Sequence, residues 1–364
     1  MNETRIGGHV GMDVIRSVGG SGDSIIIKQA KHEVGVTGEW AGLDVHGHNV
    51  EALMNEGQCL RAMADSGYTP RLLLEGTDGI EQEDMGDTET PVDMEAWRRN
   101  CVFMLAEIRA RGLRHGDLKG SNIITRGNNP YAIDWQEGHL LTETAPQKSP
   151  WSDSALLMRH IAGTYGPDGQ LDTPRVARRW LAVLGALGAS LNLTLPLKGK
   201  SFLDLGCFQG DFVALAAAEG MNAHGFDQGG FRSDENSIEI GRKLWSKFPF
   251  GSIYLHQYNL VEPRINPDGP YPFDVVMMFS TWPYVVRDFG WELACSTLTR
   301  WIRDSEVLFF ETQLYGDGPG PEQLKTDNDV ASLLDSLGAT TVNPIGTFPV
   351  TGRPASRTVW EVRK

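Results

Sequence analysis

Positive charge is what this sequence is short of. Its 33 lysines and arginines stand against 47 aspartates and glutamates, a formal net charge of −14. Binding a nucleic-acid backbone gains much of its free energy from Lys and Arg displacing counterions, so nucleic acid is not expected as a partner. Nucleotide ligands need only a few donors and a metal, and stay open. Cysteine is nearly as scarce: Cys59, Cys101, Cys207 and Cys295 lie far apart, with no C-x-x-C pair. That spacing excludes a disulfide framework or a zinc site and leaves buried free thiols as the expectation. No segment approaches the ~18 consecutive apolar residues of a membrane span. The N-terminal stretch, with Asp, Arg, His and several Gly, is unlike a signal peptide. No membrane span is expected, and a cytoplasmic location is. Internal repeats and long low-complexity tracts are missing too, and the C-terminal TGRPASRTVWEVRK carries no heptads.

What is present has the balance of an ordinary globular protein, 40% hydrophobic and 22% charged. At 364 residues the chain exceeds what one hydrophobic core usually serves, so two domains are expected. In the first part, DVIRSV and SIIIKQ around GGSG read as a hairpin, and residues 48–66 carry apolar residues at helical spacing. PRLLLEG and DGIEQED read as two strands around a turn. An amphipathic helix is predicted from Met94 to about Arg111, with Trp97, Cys101, Met104, Leu105 and Ile108 inward, and another from about Ser152 to Ala162. The turn-rich TYGPDGQLDTP at 164–174 reads as a joint between domains, giving 1–170 and 171–364. After a helix in RVARRWLAVLGALGASL the pattern becomes strands alternating with helices, which argues for a mostly parallel, doubly wound sheet.

In the first part, His115-Gly116-Asp117-Leu118-Lys119-Gly120-Ser121-Asn122 is followed by Ile133-Asp134-Trp135. Phosphoryl transfer calls for such a set. One carboxylate must face the acceptor hydroxyl, while an amide oxygen and a second carboxylate hold Mg²⁺ against the phosphates. The pattern resembles the catalytic loop and metal-binding Asp of the protein-kinase-like superfamily. The resemblance implies an α+β protein-kinase-like domain using ATP and Mg²⁺. It makes Asp117 the base, Asn122 and Asp134 the metal ligands, and Lys119 the residue facing the transferred phosphate. It also implies that Lys28, ending IIIK, pairs with the α- and β-phosphates, with Glu56 as its ion-pair partner. IGGHVG would be the glycine-rich loop, with Gly7, Gly8 and Gly11 near the phosphates, and backbone from Glu83 to Met85 would bond adenine. Asp153 resembles the start of the helix that anchors the catalytic loop. Three departures stand out. The glycines are not G-x-G-x-x-G, Trp135-Gln136 replaces Phe-Gly, and His-Gly-Asp replaces His-Arg-Asp. With so little chain left before the joint, the resemblance is to lipopolysaccharide and small-molecule kinases more than to regulated protein kinases. A pseudokinase is the alternative.

In the second part FLDLGCFQGDF places Asp204 at a strand end, followed by Gly206, Cys207 and Gly210 in a strand-to-helix turn. Such a turn alone fits any dinucleotide site, and a dehydrogenase is the rival. NAHGFDQ then puts Asp227 at the end of the next strand, where an acid bonds ribose hydroxyls. Together these resemble class I S-adenosylmethionine-dependent methyltransferases, α/β and Rossmann-like. The resemblance implies a cofactor site of Asp204, Gly206, Cys207, Gly210 and Asp227, with Asn259 against adenine and Phe279 leading to the face of methyl transfer. Trp282 and Tyr284 serve either packing or substrate. His256 is expected to face solvent or core rather than catalyse. Glu311 ends a further strand, where open sheets collect functional groups.

The pairing resembles bifunctional kinase–methyltransferases that cap bacterial O-antigen polysaccharides, in reversed domain order and without their coiled coil. What it implies is phosphorylation of a hydroxyl on a glycan or small molecule, then methylation, with the phosphate a candidate methyl acceptor. The rivals are two independent modifications of a metabolite, or a methyltransferase carrying a nucleotide-binding regulatory module. Oligomeric state is not readable.

Overall fold

A computed structural model describes residues 2–7, 12–18, 23–31, 45–140, 152–164, 173–188, 197–230, 236–249, 253–262, 273–350 and 355–364. The chain divides into Met1–Leu157 and Met158–Lys364. The division falls inside a helix, ahead of the turn-rich segment that the sequence marks as the joint.

The first unit opens with strands β1 (Asn2–Gly7), β2 (Met12–Val18) and β3 (Ser24–Ala30). Helix α1 (Val45–Ala62) and strands β4 (Leu72–Glu75) and β5 (Gly79–Glu83) follow. The five strands form one antiparallel sheet in the order β1-β2-β3-β5-β4. Helix α1 packs against β3, β4 and β5 through Leu53, Leu60 and neighbours. Next comes α2 (Met94–Ala110), which starts where the Asp93 carboxylate accepts the backbone N–H of Glu95 and Ala96. Such a cap satisfies donors that an isolated helix leaves bare. The apolar stripe of α2 is buried as its spacing predicts, Trp97, Cys101, Met104, Leu105 and Ile108 all being inside. Two short antiparallel strand pairs, one nested inside the other in sequence, then frame the motif residues. Strand β6 (Leu113–Arg114) pairs with β9 (His139–Leu140), and β7 (Ile123–Arg126) pairs with β8 (Asn129–Ala132). Helix α3 (Asp153–Thr164) closes this region.

The second unit begins with α4 (Thr173–Ala186), then alternates strand and helix. Its elements are β10 (Ser201–Leu205), α5 (Asp211–Ala218), β11 (Asn222–Asp227), α6 (Ser237–Leu244), β12 (Ile253–Gln257) and β13 (Phe273–Phe279). After them come α7 (Trp282–Phe289), α8 (Trp291–Arg303), β14 (Ser305–Glu311), α9 (Asp327–Ser336), β15 (Thr341–Pro349) and β16 (Ser356–Arg363). The sheet order is β12-β11-β10-β13-β14-β16-β15, parallel from β12 to β14, with β16 antiparallel to both of its neighbours. This is a doubly wound, Rossmann-like sheet ending in an antiparallel hairpin. The strand succession reverses between β10 and β13, and at such a switch point open α/β sheets bind ligands beyond the carboxyl ends of the strands.

Side chains alternate along these strands. Leu203, Leu205, Val276, Met278, Leu308 and Phe310 enter a core with Trp282, Leu298, Trp301 and Leu334 from the helices α7 to α9. Facing the other way, Phe202 meets Trp180 of α4 edge to face at 6.0 Å. Helix α5, whose sequence is apolar almost all round, is buried from Val213 to Ala218. No helix among the described residues is long and apolar enough to cross a membrane.

Candidate functional site

In the first unit the motif residues form two hydrogen-bonded groups, one at Lys28 and one at Asp117. Lys28 on β3 donates from Nζ to both carboxylate oxygens of Glu56 on α1, at 2.7 and 3.0 Å. It also donates to Asp134 Oδ1 at 3.1 Å. Burial works against the lysine charge, but the two carboxylates outweigh it and its pKa is raised. A chain residue on a strand, one on a helix and one in a loop are thus held at one cation. Glu56 is fully buried and also accepts the backbone N–H of Trp135. The Asp134 backbone is left-handed, with φ +62°; that turns its carboxylate toward Lys28 while the next residue, Trp135, is wholly buried.

The loop from His115 to Asn122 is pinned from behind. Asp153, the first residue of α3, accepts the backbone N–H of His115 at 2.8 Å and of Gly116 at 3.0 Å, as its resemblance to a loop anchor implies. The His115 ring lies 4.5 Å from the Trp135 ring and hydrogen-bonds through Nε2 with the Ile133 carbonyl. Gly116 takes φ +82°, and a Cβ there would overlap the Glu137 carbonyl. The glycine is therefore built into the packing of this loop. Asp117 accepts from Lys119 Nζ at 2.6 Å and from Asn122 Nδ2 at 3.2 Å, and Asn122 Nδ2 also donates to the Asp117 carbonyl. The Ile133 N–H donates to the Asn122 carbonyl, tying Asn122 to the segment that carries Asp134. One carboxylate and one amide oxygen suit Mg²⁺, which takes its other ligands from phosphates and water. Among the described residues no cluster of three or more His, Cys, Asp or Glu is arranged as a metal cage.

The remaining expected residues are placed as follows. Gly7 ends β1, while Gly8, Gly11 and the GGSG turn lie outside the described residues. Glu83 ends β5, with its N–H donated to the Arg71 carbonyl and its carboxylate accepting from the Arg71 side chain. The Met85 carbonyl accepts from Arg126 Nε at 2.6 Å, so one of the groups expected to meet adenine already has a protein partner. Sequence reasoning missed Asn55. Its amide donates to the carbonyls of Gln136 and Gly138, fastening α1 to the turn after Asp134. An Asn within a helix gives no sequence signal for such a role.

In the second unit the expected residues gather at the switch point. Gly206 follows β10 with φ +80°, and a Cβ there would overlap the Thr281 side chain at the end of β13. Gly210 has φ +86°, caps α5, and leaves no room for a Cβ beside Leu255. Between them the Cys207 carbonyl accepts the Gly210 N–H, and Phe208 takes φ +52° with its N–H donated to Asp227 Oδ2 at 3.0 Å. Asp227 at the end of β11 also accepts from Gly229 N–H at 2.8 Å and from Ser237 Oγ. Asp204 is buried; burial first, then the charges of Asp227 and Asp211, push its pKa up to about 8. Burial likewise raises the Cys207 thiol well above its ordinary value, so it is no nucleophile at neutral pH.

Asn259 lies just past β12, where its side-chain oxygen accepts from the Val261 N–H and from Gln228 at the end of β11. Phe279 ends β13 and meets Phe212 of α5 edge to face at 5.5 Å. Trp282 is wholly buried, donates to the Ala294 carbonyl and packs on Trp291 and Phe310, which settles the alternative in favour of packing. His256 is half-buried in a stack with His224 and Tyr254, and burial lowers its pKa. Glu311 is fully buried and accepts from Arg179 Nε at 2.5 Å and from Ser280 Oγ at 2.6 Å. Arg179 and Ser280 were not legible: one is a cation inside an amphipathic helix, the other a serine in a turn.

No protein-family model matches the chain, and no curated protein does. Among solved structures it is similar to the bifunctional kinase–methyltransferase WbdD, at 19% identity over 52% of this chain and 38% of that chain, with a TM-score of 0.39. It is also similar to SAM-bound magnesium protoporphyrin IX methyltransferase ChlM of Synechocystis PCC 6803, at 15% identity over 62% of this chain and 88% of that one, TM-score 0.37. A third likeness is to EvdMO1, at 16% identity over 52% of this chain and 41% of that chain, TM-score 0.37. The chain thus spans less than half of the WbdD chain it resembles.

Proposed function

We propose that the chain is a bifunctional transferase. Residues 1–170 form an ATP- and Mg²⁺-dependent phosphotransferase domain and residues 171–364 an S-adenosylmethionine-dependent methyltransferase domain, acting on a glycan or small molecule. The observation that carries the first activity is Lys28 held between Glu56 and Asp134, with Asp117 and Asn122 joined on the loop below. Mg²⁺, held by Asn122 and Asp134, would neutralise charge on the phosphates. Lys28 orients the phosphate chain. Asp117 accepts a hydrogen bond from the acceptor hydroxyl and takes its proton as the new O–P bond forms and the bond from the γ-phosphorus to the β-phosphate oxygen breaks, releasing ADP. Lys119, now on Asp117, offers its charge to the transferred group.

What supports the second activity is the pair of left-handed glycine positions, Gly206 against Thr281 and Gly210 against Leu255, with Asp211 and Asp227 close to a buried, proton-holding Asp204. A negative site at a switch point favours a cationic ligand, and S-adenosylmethionine carries both an ammonium and a sulfonium. Its sulfonium supplies the methyl group by in-line displacement, for which alignment provides much of the rate. A phosphate oxygen is already anionic and needs no base, which would join the two reactions on one substrate.

The test is incubation of the full chain with ATP, Mg²⁺ and S-adenosylmethionine against glycans and metabolites, read by mass. A phosphate-plus-methyl gain on one molecule, with methylation lost when ATP is omitted, is the expected result. Methylation undiminished without ATP would sink the sequential reading. Phosphate transfer absent from wild type and Asp117→Ala alike, with ATP still bound, would make the first unit a regulatory module.

A further inference from the structure

Ser280, between β13 and α7, has φ +57°, a conformation that serine rarely adopts. Strain of this kind persists only where the surroundings over-determine it, and here they do. The Ser280 N–H donates to the Glu311 carbonyl at 3.0 Å. Its hydroxyl donates to Glu311 Oε1 at 2.6 Å and accepts from Arg357 Nη1 at 2.8 Å. Arg357 on β16 in turn donates from Nε to Asp317 Oδ2 at 2.7 Å, and Arg179 of α4 holds the other oxygen of Glu311. Two buried charges, Glu311 and Arg357, thus meet at one hydroxyl, and each is held in turn by a further charge, Arg179 and Asp317.

Two arginines at the carboxyl end of a sheet suggest an anion site, but each is matched by a carboxylate within the cluster, so the group is balanced and inward-facing. Buried ion pairs of this kind contribute little net stability. What they fix is the turn. The next residue, Thr281, donates from Oγ1 to the Phe279 carbonyl and lies so close to Gly206 that a Cβ on that glycine would overlap it.

We infer that Ser280, Glu311 and Arg357 form a clamp that positions Thr281 against Gly206, so that the β13 turn and the glycine turn together shape the floor of the cofactor site. The three are positioning residues. This rests on the methyltransferase reading above and extends it to residues outside the glycine motif.

The test uses the full chain, with S-adenosylmethionine and S-adenosylhomocysteine as probes in calorimetry and thermal melts run alongside. Ser280→Gly takes the left-handed conformation at no steric cost but loses both side-chain hydrogen bonds. It should melt close to wild type, relief of the left-handed strain offsetting the lost hydrogen bonds, while binding either probe about tenfold more weakly, the scale of losing charge-assisted hydrogen bonds. Arg357→Lys keeps the charge without the forked donor geometry and should weaken binding in the same direction. Wild-type affinity in Ser280→Gly would overturn the clamp, as would a large fall in its melting temperature, which would make the role purely structural. Wild-type protein that binds neither probe would remove the methyltransferase reading, and the clamp with it. Binding by wild type with unchanged variants would remove the clamp alone.

Discussion

Four described residues other than glycine have positive φ: Asp65, Asp134, Phe208 and Ser280. Asp65 lies in the turn after α1, and the other three sit in the two candidate sites. A left-handed backbone costs an ordinary residue ~1–2 kcal/mol, so the strain is concentrated where chemistry is proposed. Phe208→Gly should therefore leave stability within about 1 kcal/mol of wild type, because relief of strain offsets glycine's entropy cost. Gly206→Ala combines left-handed strain with an overlap on Thr281 and should lose more than about 2 kcal/mol; denaturant unfolding compares the two. Asp204 makes a different prediction. Its folded pKa of about 8 lies above the ordinary aspartate value of 3.8, so between those values the folded protein holds a proton that the unfolded chain has released. Stability then falls as pH rises from about 4 to about 8. Asp204→Asn should flatten that slope, and melting temperatures measured across the window would show it. An unchanged slope would mean that Asp204 titrates normally.

Helix α1 is an element whose position the site depends on. Glu56 holds Lys28, and one residue earlier Asn55 holds the turn after Asp134. Asn55→Ala removes both of its hydrogen bonds and leaves two carbonyls to find other donors, at about 1–3 kcal/mol. Phosphotransfer should fall about tenfold or more with the fold intact, measured as kcat for whichever acceptor the mass assay identifies, with circular dichroism as control. An unaltered rate would mean that Glu56 alone holds the helix. Gly116→Arg should be damaging. Its side chain would meet the Glu137 carbonyl, and loss of soluble protein or of activity is expected. Asp117 with Asn122, and Gly206 with Gly210, were readable because each pair keeps a short fixed interval within one loop. Asn55, Arg179 and Arg357 were not, because their partners are distant in sequence and helical or strand spacing does not mark a lone polar residue. Strand β15 was unreadable for another reason. TVNPIGTFP has two prolines and a glycine, which argue against a strand, yet it lies at the edge of the sheet, and the register slips between Pro344 and Gly346. The alternation in β10 to β14 was legible because each central strand is a short apolar run ending at a turn signal.

At the scale of the whole molecule, the chain holds two sets of buried residues, one in each unit. The first centres on Trp97, Leu105 and Trp135, and the second on Phe202, Trp282, Trp301 and Phe310. Domains with separate cores unfold as separate cooperative units unless something couples them. A ligand that binds only the folded form of one unit raises that unit's stability by RT ln(1 + [L]/Kd), about 2.7 kcal/mol at a hundredfold excess over Kd. Scanning calorimetry of the full chain is therefore expected to give two transitions. ATP with Mg²⁺ should raise one, and S-adenosylhomocysteine the other. Lys28→Met should abolish the ATP response while leaving the S-adenosylhomocysteine response in place, because Lys28 belongs to the first site alone. If both ligands moved the same transition, the two proposed sites would belong to one cooperative unit. If ATP with Mg²⁺ moved neither, the site around Lys28 would bind no nucleotide, and both the kinase and the regulatory readings of the first unit would fall together.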